Sequence, residues 1–288
     1  MVSKSIKPIL NVLAALTIFL STSAQRIYYS EPERDDNRRT NFDIIGKVGG
    51  NMLVFKNNRN DNKVAVYDNE MKLVKNVDIN PDRDRWINVD FIPYGDFAWM
   101  IYQYQVKTIL YCMAVRIDGN GQLMSKPIEL DTTRIGWSAN NKIYTTIYSD
   151  DKEKIMIFKI NSRNTKNFLF TTLLFDKDLQ LQKKHQLNMP MEERNDYFTD
   201  FMLDNEGSLV FGKYVRKGGG DFITDLVLVV KDPDSAQFSI SDMKTGDRVL
   251  DEVKIKIDNT NRRYLFTALY YKQKRGNIEG LYTVIWDR

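Results

Sequence analysis

Side chains able to do chemistry are few in this sequence, and their settings suit structure better than catalysis. The chain has one histidine, His185 in QKKHQL, and one cysteine, Cys112 in ILYCMAV. A Ser-His-Asp relay would have to use His185, which lies on a polar outer strand, a poor place for a catalytic base. Zinc and iron sites need clusters of His and Cys, which one of each does not supply. Cys112 reads as a buried structural thiol with no partner for an intramolecular disulfide. The segment DGNGQLMSKPIE puts Asp118, Asn120 and Glu129 at ligand positions of a calcium loop, but Leu123 stands where that loop turns on glycine. RKGGGDF (Arg216–Phe222) would cradle phosphate only ahead of a helix; a strand pattern, DLVLVV, follows, so the glycines read as a hairpin turn. Glycosidase carboxylates stand about 5–10 Å apart across the sugar, and each would come from a different repeat. Neither catalytic residues, nor metal ligands, nor a cofactor are expected.

A sharper pattern is arginine close to an aromatic ring. Arg83 and Arg85 precede Trp86, Arg134 precedes Trp137, Arg194 precedes Tyr197, and Arg248 stands in the next equivalent loop. Arginine and aromatics are the residues that binding hot spots favour. The expected ligand is negatively charged, an acidic glycan or an acidic patch on an unknown protein. Polar loops carry charges of both signs in any case, and Asp82, Asp84, Glu192, Glu193 and Asp196 accompany these arginines. Whether they make one surface depends on the elements that carry them.

Those elements repeat. VAVYD, AVRID, TLLFD, LVVKD and TVIWD end at Asp68, Asp118, Asp176, Asp232 and Asp287, at intervals of 50 to 58 residues. Each is an apolar, β-rich run closed by Asp, whose side chain bonds the backbone two residues on and so favours a turn. A second apolar run precedes each (MLVFK, FAWMIYQY, IMIFKI, LVFGKYV, YLFTALYY), and a further strand and turn precede that. An alternating strand follows the first three Asp turns, and a looser one the fourth. Helical periodicity appears nowhere. Four antiparallel strands per repeat of this length predict an all-β fold, a β-propeller of four-stranded antiparallel blades. The blades are expected at about 42–80, 86–131, 141–189, 196–243 and 249–288. Blades bury their faces on one another, and the fifth has three strands, so the ring is expected to be open at its C-terminal end, a truncated reading frame rather than a complete five-bladed ring. An all-β sandwich of the same hairpins is the alternative.

With the four strands of each blade lettered a to d in chain order, the b–c and d–a loops of a propeller share one face. Summed over these blades that face carries about +6 and the opposite one about −6. The Arg–aromatic pairs fall on the basic face.

Lys4 and Lys7, the apolar run Ile9–Leu20 and the small residues STSA form a signal peptide over 1–24, with cleavage expected before Gln25. That run is shorter than the roughly 20 residues a spanning helix needs, so no integral membrane segment is expected after cleavage; an uncleaved anchor is the alternative. Residues 25–41 read as a flexible leader, with a short strand at Arg26–Tyr29. The whole-chain charge of +4 argues neither for nor against nucleic acid, and no nucleic-acid partner is expected. The SAQ cleavage region (Ser23–Gln25) and the Asp-closed blades, including VYDNEMKLVKNVDI (Val66–Ile79), resemble those of secreted β-propeller proteins of Bacteroidota-type bacteria, over Phe42–Arg288. The resemblance implies an exported protein, in the periplasm, at the outer cell surface or secreted, and no particular activity. The function expected is a non-catalytic binding or scaffold module; the alternatives are a glycan-active enzyme and a structural segment of a larger envelope protein.

Overall fold

The computed structural model describes residues 26–32, 40–58, 61–81, 86–136, 138–164, 166–191, 196–216, 223–246, 248–272 and 276–288. Among them every regular element is a strand. The signal segment lies outside the described residues. Arg26–Glu31 is exposed and has no regular structure, where a short strand was expected.

Each apolar run becomes a strand because its alternating side chains can be buried on both faces. The first blade is β1 (Thr40–Val48), β2 (Asn51–Asn58), β3 (Asp61–Tyr67) and β4 (Leu73–Asp78), paired in that order. The second is β5 (Asn88–Pro93), β6 (Phe97–Val106), β7 (Ile109–Asp118) and β8 (Ile128–Arg134); the third is β9 (Tyr144–Tyr148), β10 (Lys154–Asn164), β11 (Asn167–Asp176) and β12 (Leu181–Pro190). In the fourth the inner strand is broken into β13 (Asp196–Phe198) and β14 (Met202–Leu203), both on β15 (Leu209–Arg216), followed by β16 (Ile223–Lys231) and β17 (Ser239–Asp242). Thr199 makes the break: its hydroxyl accepts from Gly212 N at 2.7 Å, in place of a ladder bond. The fifth is β18 (Val249–Asp258), β19 (Arg263–Tyr271) and β20 (Gly280–Asp287); a bridge from Ile223 to Leu250 joins it to the fourth in one sheet.

The core lies between blades, and its layers run in sequence order. β6 shows how one strand serves two of them. Ala98, Met100, Tyr102 and Tyr104 pack on Leu53, Phe55, Val64 and Val66 of the first blade. The alternate residues Trp99 and Ile101 pack on Ile155, Ile157, Leu173 and Phe175 of the third. Phe158, Phe170 and Leu174 then meet Leu209, Phe211 and Val229, and Val210, Leu226 and Leu228 meet Tyr264, Phe266 and Ala268. Four-stranded antiparallel blades stacked face to face, with inner strands β1 and β5 side by side as are β9 and β14, make this an all-β propeller.

The Asp turns recur with one geometry. Asp68 Oδ1 accepts from the amides of Glu70 (2.8 Å) and Lys72 (3.0 Å). Asp118 does so from Asn120 and Gln122, Asp176 from Asp178 and Gln180, and Asp204 from Glu206 and Ser208. The residue three after each Asp is left-handed: Met71, Gly121, Leu179 and Gly207 all have positive φ. The carboxylate thus holds two amides of a five-residue turn, the role expected for Asp68, Asp118 and Asp176.

Candidate functional site

The strand directions put the b–c and d–a loops at one end of every blade. Arg83, Arg85, Trp137 and Arg194 lie outside the described residues, as do the basic loop residues Arg59, Lys217, Lys274 and Arg275. Trp86, Arg134, Tyr197 and Arg248 are described.

Trp86 is presented to solvent only in part. It is half-buried between the first two blades, with its ring centroid 6.1 Å from Phe55 and 5.4 Å from Tyr102, and packs on their shared core. From Tyr102 the rings continue through Tyr104 (6.2 Å) to Tyr111 (5.1 Å). Arg134 is exposed at the end of β8, opposite Ile109. The amide of its neighbour Ile135 donates to Thr108 O, which closes the d–a loop onto the b–c turn at Lys107. Between these loops lies a cleft of about 430 Å³ lined by Ile87, Gln105, Lys107, Ile135 and Ser138.

The fourth and fifth blades carry the clearest constellation. The ladder sets Tyr197 directly opposite Tyr214, with the rings stacked at 5.7 Å and an interplanar angle of 19°. The Arg216 guanidinium lies over both, 5.1 Å from the Tyr197 centroid and 5.5 Å from that of Tyr214. Its Nε is buried and has no hydrogen-bond partner. One blade on, the Arg248 guanidinium lies 5.6 Å from the Tyr270 ring and 5.7 Å from the Tyr282 ring, and its Nη1 donates to Thr245 O at 3.3 Å. Neither arginine pairs with a described carboxylate. Beside Arg216 opens a cleft of about 270 Å³ whose walls include Tyr214, Arg216 and Lys254 and the carboxylates of Asp200, Asp251 and Glu252. The two guanidiniums are thus held on aromatic faces, where cation–π attraction is about 0.5–1 kcal/mol each at exposed sites. A guanidinium beside a ring is an arrangement suited to a carboxylate or sulfate next to a group that stacks.

The opposite end behaves differently. There Asp204, almost fully buried, takes Tyr264 OH at 2.8 Å and Arg288 Nη1 at 2.7 Å on Oδ2, while Arg288 Nη2 reaches Asp232 at 3.3 Å. This network ties the fourth blade to the fifth. A broader cleft of about 650 Å³ at this end is walled by Lys47, Tyr94, Phe97, Lys152 and Lys177 among others. Tyr94 donates to Lys152 O at 2.8 Å, and burial, aided by Glu153 and other carboxylates, pushes its phenol up to about 12.

The other chemically capable groups are held in packing. Cys112 is buried, and burial pushes its thiol far above the ordinary range, against thiolate chemistry. His185 is half-buried on β12 opposite Thr172, and burial with Lys231 and Lys183 nearby lowers its pKa. Among the described residues there is no group of three His, Cys, Asp or Glu side chains placed to hold a metal.

No protein-family model and no curated protein matches the chain. Solved structures similar to it include a puromycin hydrolase variant (12% identity, TM-score 0.41, covering 85% of this chain and 43% of that one). A variant of the Synechocystis apocarotenoid oxygenase matches at 8% identity and TM-score 0.42, over 84% of this chain and 58% of that one. A thermostable family-43 glycoside hydrolase matches at 11% identity and TM-score 0.39, over 83% and 86%. The chain spans less than two thirds of the length of the first two. At these scores the likenesses do not bear on activity.

Proposed function

We propose that this protein is an exported binding module whose b–c and d–a loop face captures an acidic glycan. The supporting observation is the repeated pair of guanidiniums, Arg216 and Arg248, each laid over two tyrosine rings at the same end of adjacent blades. Rings offer a stacking surface for a sugar, and bound guanidiniums offer paired donors to its carboxylate or sulfate. Holding the arginine on the ring before the ligand arrives reduces the side-chain entropy lost on binding.

The test is capture on a panel of acidic and neutral glycans across a salt series. Acidic members should bind, and binding should weaken steeply with salt, because exposed charges act over roughly 8 Å at physiological ionic strength. Arg216→Ala and Arg248→Ala should each weaken capture by about tenfold, the loss of one charge-assisted contact. Asp118→Asn, at the other end of the second blade, should leave it unchanged. Equal capture of neutral and acidic glycans would sink the proposal, and cleavage of a panel member would favour the glycan-active enzyme instead.

A further inference from the structure

We propose that the cleft of about 650 Å³ at the c–d and a–b end is a second binding site, for a zwitterionic ligand with an apolar side chain: an amino acid or a short peptide with free ends. It lies at the opposite end from Arg216 and Arg248 and does not rest on glycan capture. Its volume falls within the roughly 300–1,000 Å³ usual for small-ligand sites, which combine an apolar and aromatic lining with a few placed polar groups.

The frame of the cleft is fixed before any ligand arrives. The Phe97 ring stacks on Tyr94 at 4.9 Å and carries the Arg116 guanidinium 4.5 Å from its centroid. The Tyr94 hydroxyl donates to Lys152 O at 2.8 Å, and Lys152 Nζ donates to Pro93 O at 2.7 Å, so the a–b turns of the second and third blades hold each other. Trp99 Nε1 donates to Lys177 O at 2.8 Å, which ties in the c–d turn of the third blade. Gly49 N donates to Gly95 O at 2.8 Å, which ties in the a–b turn of the first. A wall held in this way loses little freedom on binding.

The charges of the cleft define the ligand. Lys47, Lys152 and Lys177 face Asp96, Asp151 and Glu153 around it, a balance that attracts no ion of a single sign. Four of these six groups are used by the frame. Lys152 holds Pro93 O, Glu153 pairs with Lys177 at 3.0 Å, and Asp151 accepts from Ser149 Oγ at 2.6 Å and Glu153 N at 3.0 Å. Lys47 and Asp96 are exposed, and neither side chain has an ion-pair or hydrogen-bond partner among the described residues. The fold brings Lys47 there by a bulge in β1 between Ile44 and Gly46. Straight alternation from the buried Ile45 would bury Lys47; the extra residue gives the buried place to Val48 and leaves Lys47 at the cleft. A ligand that satisfies both unpaired groups brings a carboxylate to Lys47 and an ammonium to Asp96. The Tyr94 and Phe97 rings offer its apolar side chain a surface.

Calorimetric titration of the whole protein tests this, with L-phenylalanine and the tripeptide Ala-Phe-Ala as probes, each free, N-acetylated and C-amidated. At least one free probe should bind at millimolar concentration or below, and blocking either of its ends should weaken binding by about tenfold, the loss of one charge-assisted contact. Which free probe binds more tightly shows whether the two charges come from one residue or from the two ends of a chain. Lys47→Ala should weaken the free probe to the level of its amide, and amidation should then cost nothing further. Asp96→Asn should do the same for acetylation. Both side chains are exposed and unpartnered, so their variants keep the fold. Arg216→Ala, at the other end, should leave binding unchanged. Failure of both free probes to bind at millimolar concentration, or equal binding of free and blocked forms, would overturn the proposal. So would an amide effect that survives in Lys47→Ala, or binding lost in Arg216→Ala, which would move the site to the arginine end.

Discussion

Lys159→Met should destabilise the protein by about 2–3 kcal/mol, and its partners fix that figure. Lys159 and Asp131 are each 8% exposed at the side chain, between the second and third blades. The Lys159 ammonium donates to Asp131 Oδ2 at 2.8 Å, to Tyr144 OH at 2.9 Å and to Thr132 O at 3.3 Å. Breaking a buried pair by removing one partner costs about 3–5 kcal/mol, because the other charge is left uncompensated. Here Asp131 keeps the Tyr144 hydroxyl at 2.7 Å and, on Oδ1, Lys184 at 2.8 Å. The expectation therefore falls to the lower edge of that range or just below it, about 2–3 kcal/mol. Asp131→Asn leaves the Lys159 ammonium with neutral acceptors and should cost about as much. The double variant should cost less than the sum, by about 1–2 kcal/mol, because neither charge is then stranded. Acid provides a second readout. Burial alone would raise the Asp131 pKa, but the hydrogen bonds from Lys159, Lys184 and Tyr144 outweigh it and lower the pKa. A carboxyl depressed in the folded state contributes stability above its unfolded value, near 4, and that contribution is lost as pH falls through the folded value. Urea unfolding should thus show native stability falling below about pH 4, with a shallower fall for Asp131→Asn. A Lys159→Met cost under about 1 kcal/mol, or additive single variants, would refute the reasoning.

Three further outcomes follow from the packing. Gly119→Ala should cost more than about 2 kcal/mol in urea unfolding, since a Cβ there would stand 2.6 Å from Val48 O and 2.8 Å from Gly49 Cα, both backbone atoms of the neighbouring blade. Asp118→Ala should cost about 1 kcal/mol by removing the acceptor of two turn amides, whereas Asp118→Asn keeps an acceptor and should cost well under that in the same assay. Trp86→Ala should lower stability by about 3 kcal/mol through the cavity left between Phe55 and Tyr102, while glycan capture per folded molecule stays at the wild-type level.

The Asp turns and the blade repeat were legible in the sequence because both are local. A carboxylate binding amides two and four residues on needs no partner from elsewhere in the chain. What escaped depends on register. Arg194, three residues before Tyr197, lies outside the described residues, while a guanidinium that does lie on Tyr197 belongs to Arg216, brought there by a ladder that sets Tyr197 against Tyr214. Arg248 was named from its loop, but its rings, Tyr270 and Tyr282, come from two later strands. Trp86 sits in a loop by sequence and in the core by position, because Phe55 and Tyr102 of two different blades leave room for an indole between them. The Asp131 cluster was likewise unreadable: its lysines lie 28 and 53 residues away. A continuous apolar run shows that β6 is buried on both faces, but not which blade each face meets.

The two ends of the blades also differ in a way that summed charge conceals. At the c–d and a–b end the acidic residues are largely used by the fold. Asp68, Asp118, Asp176 and Asp204 hold their own turns, and Asp204 also takes Arg288 and Tyr264. A carboxylate already accepting two or more donors has little left for a ligand. At the b–c and d–a end Arg216 and Arg248 lie on rings, and a ring face neutralises no charge and accepts no strong hydrogen bond. Among the described residues neither guanidinium pairs with a carboxylate, though Arg248 Nη1 donates to Thr245 O. Similar charge magnitudes at the two ends therefore differ in what they can still bind, and that difference, rather than the excess of basic residues, supports the binding face proposed at the arginine end.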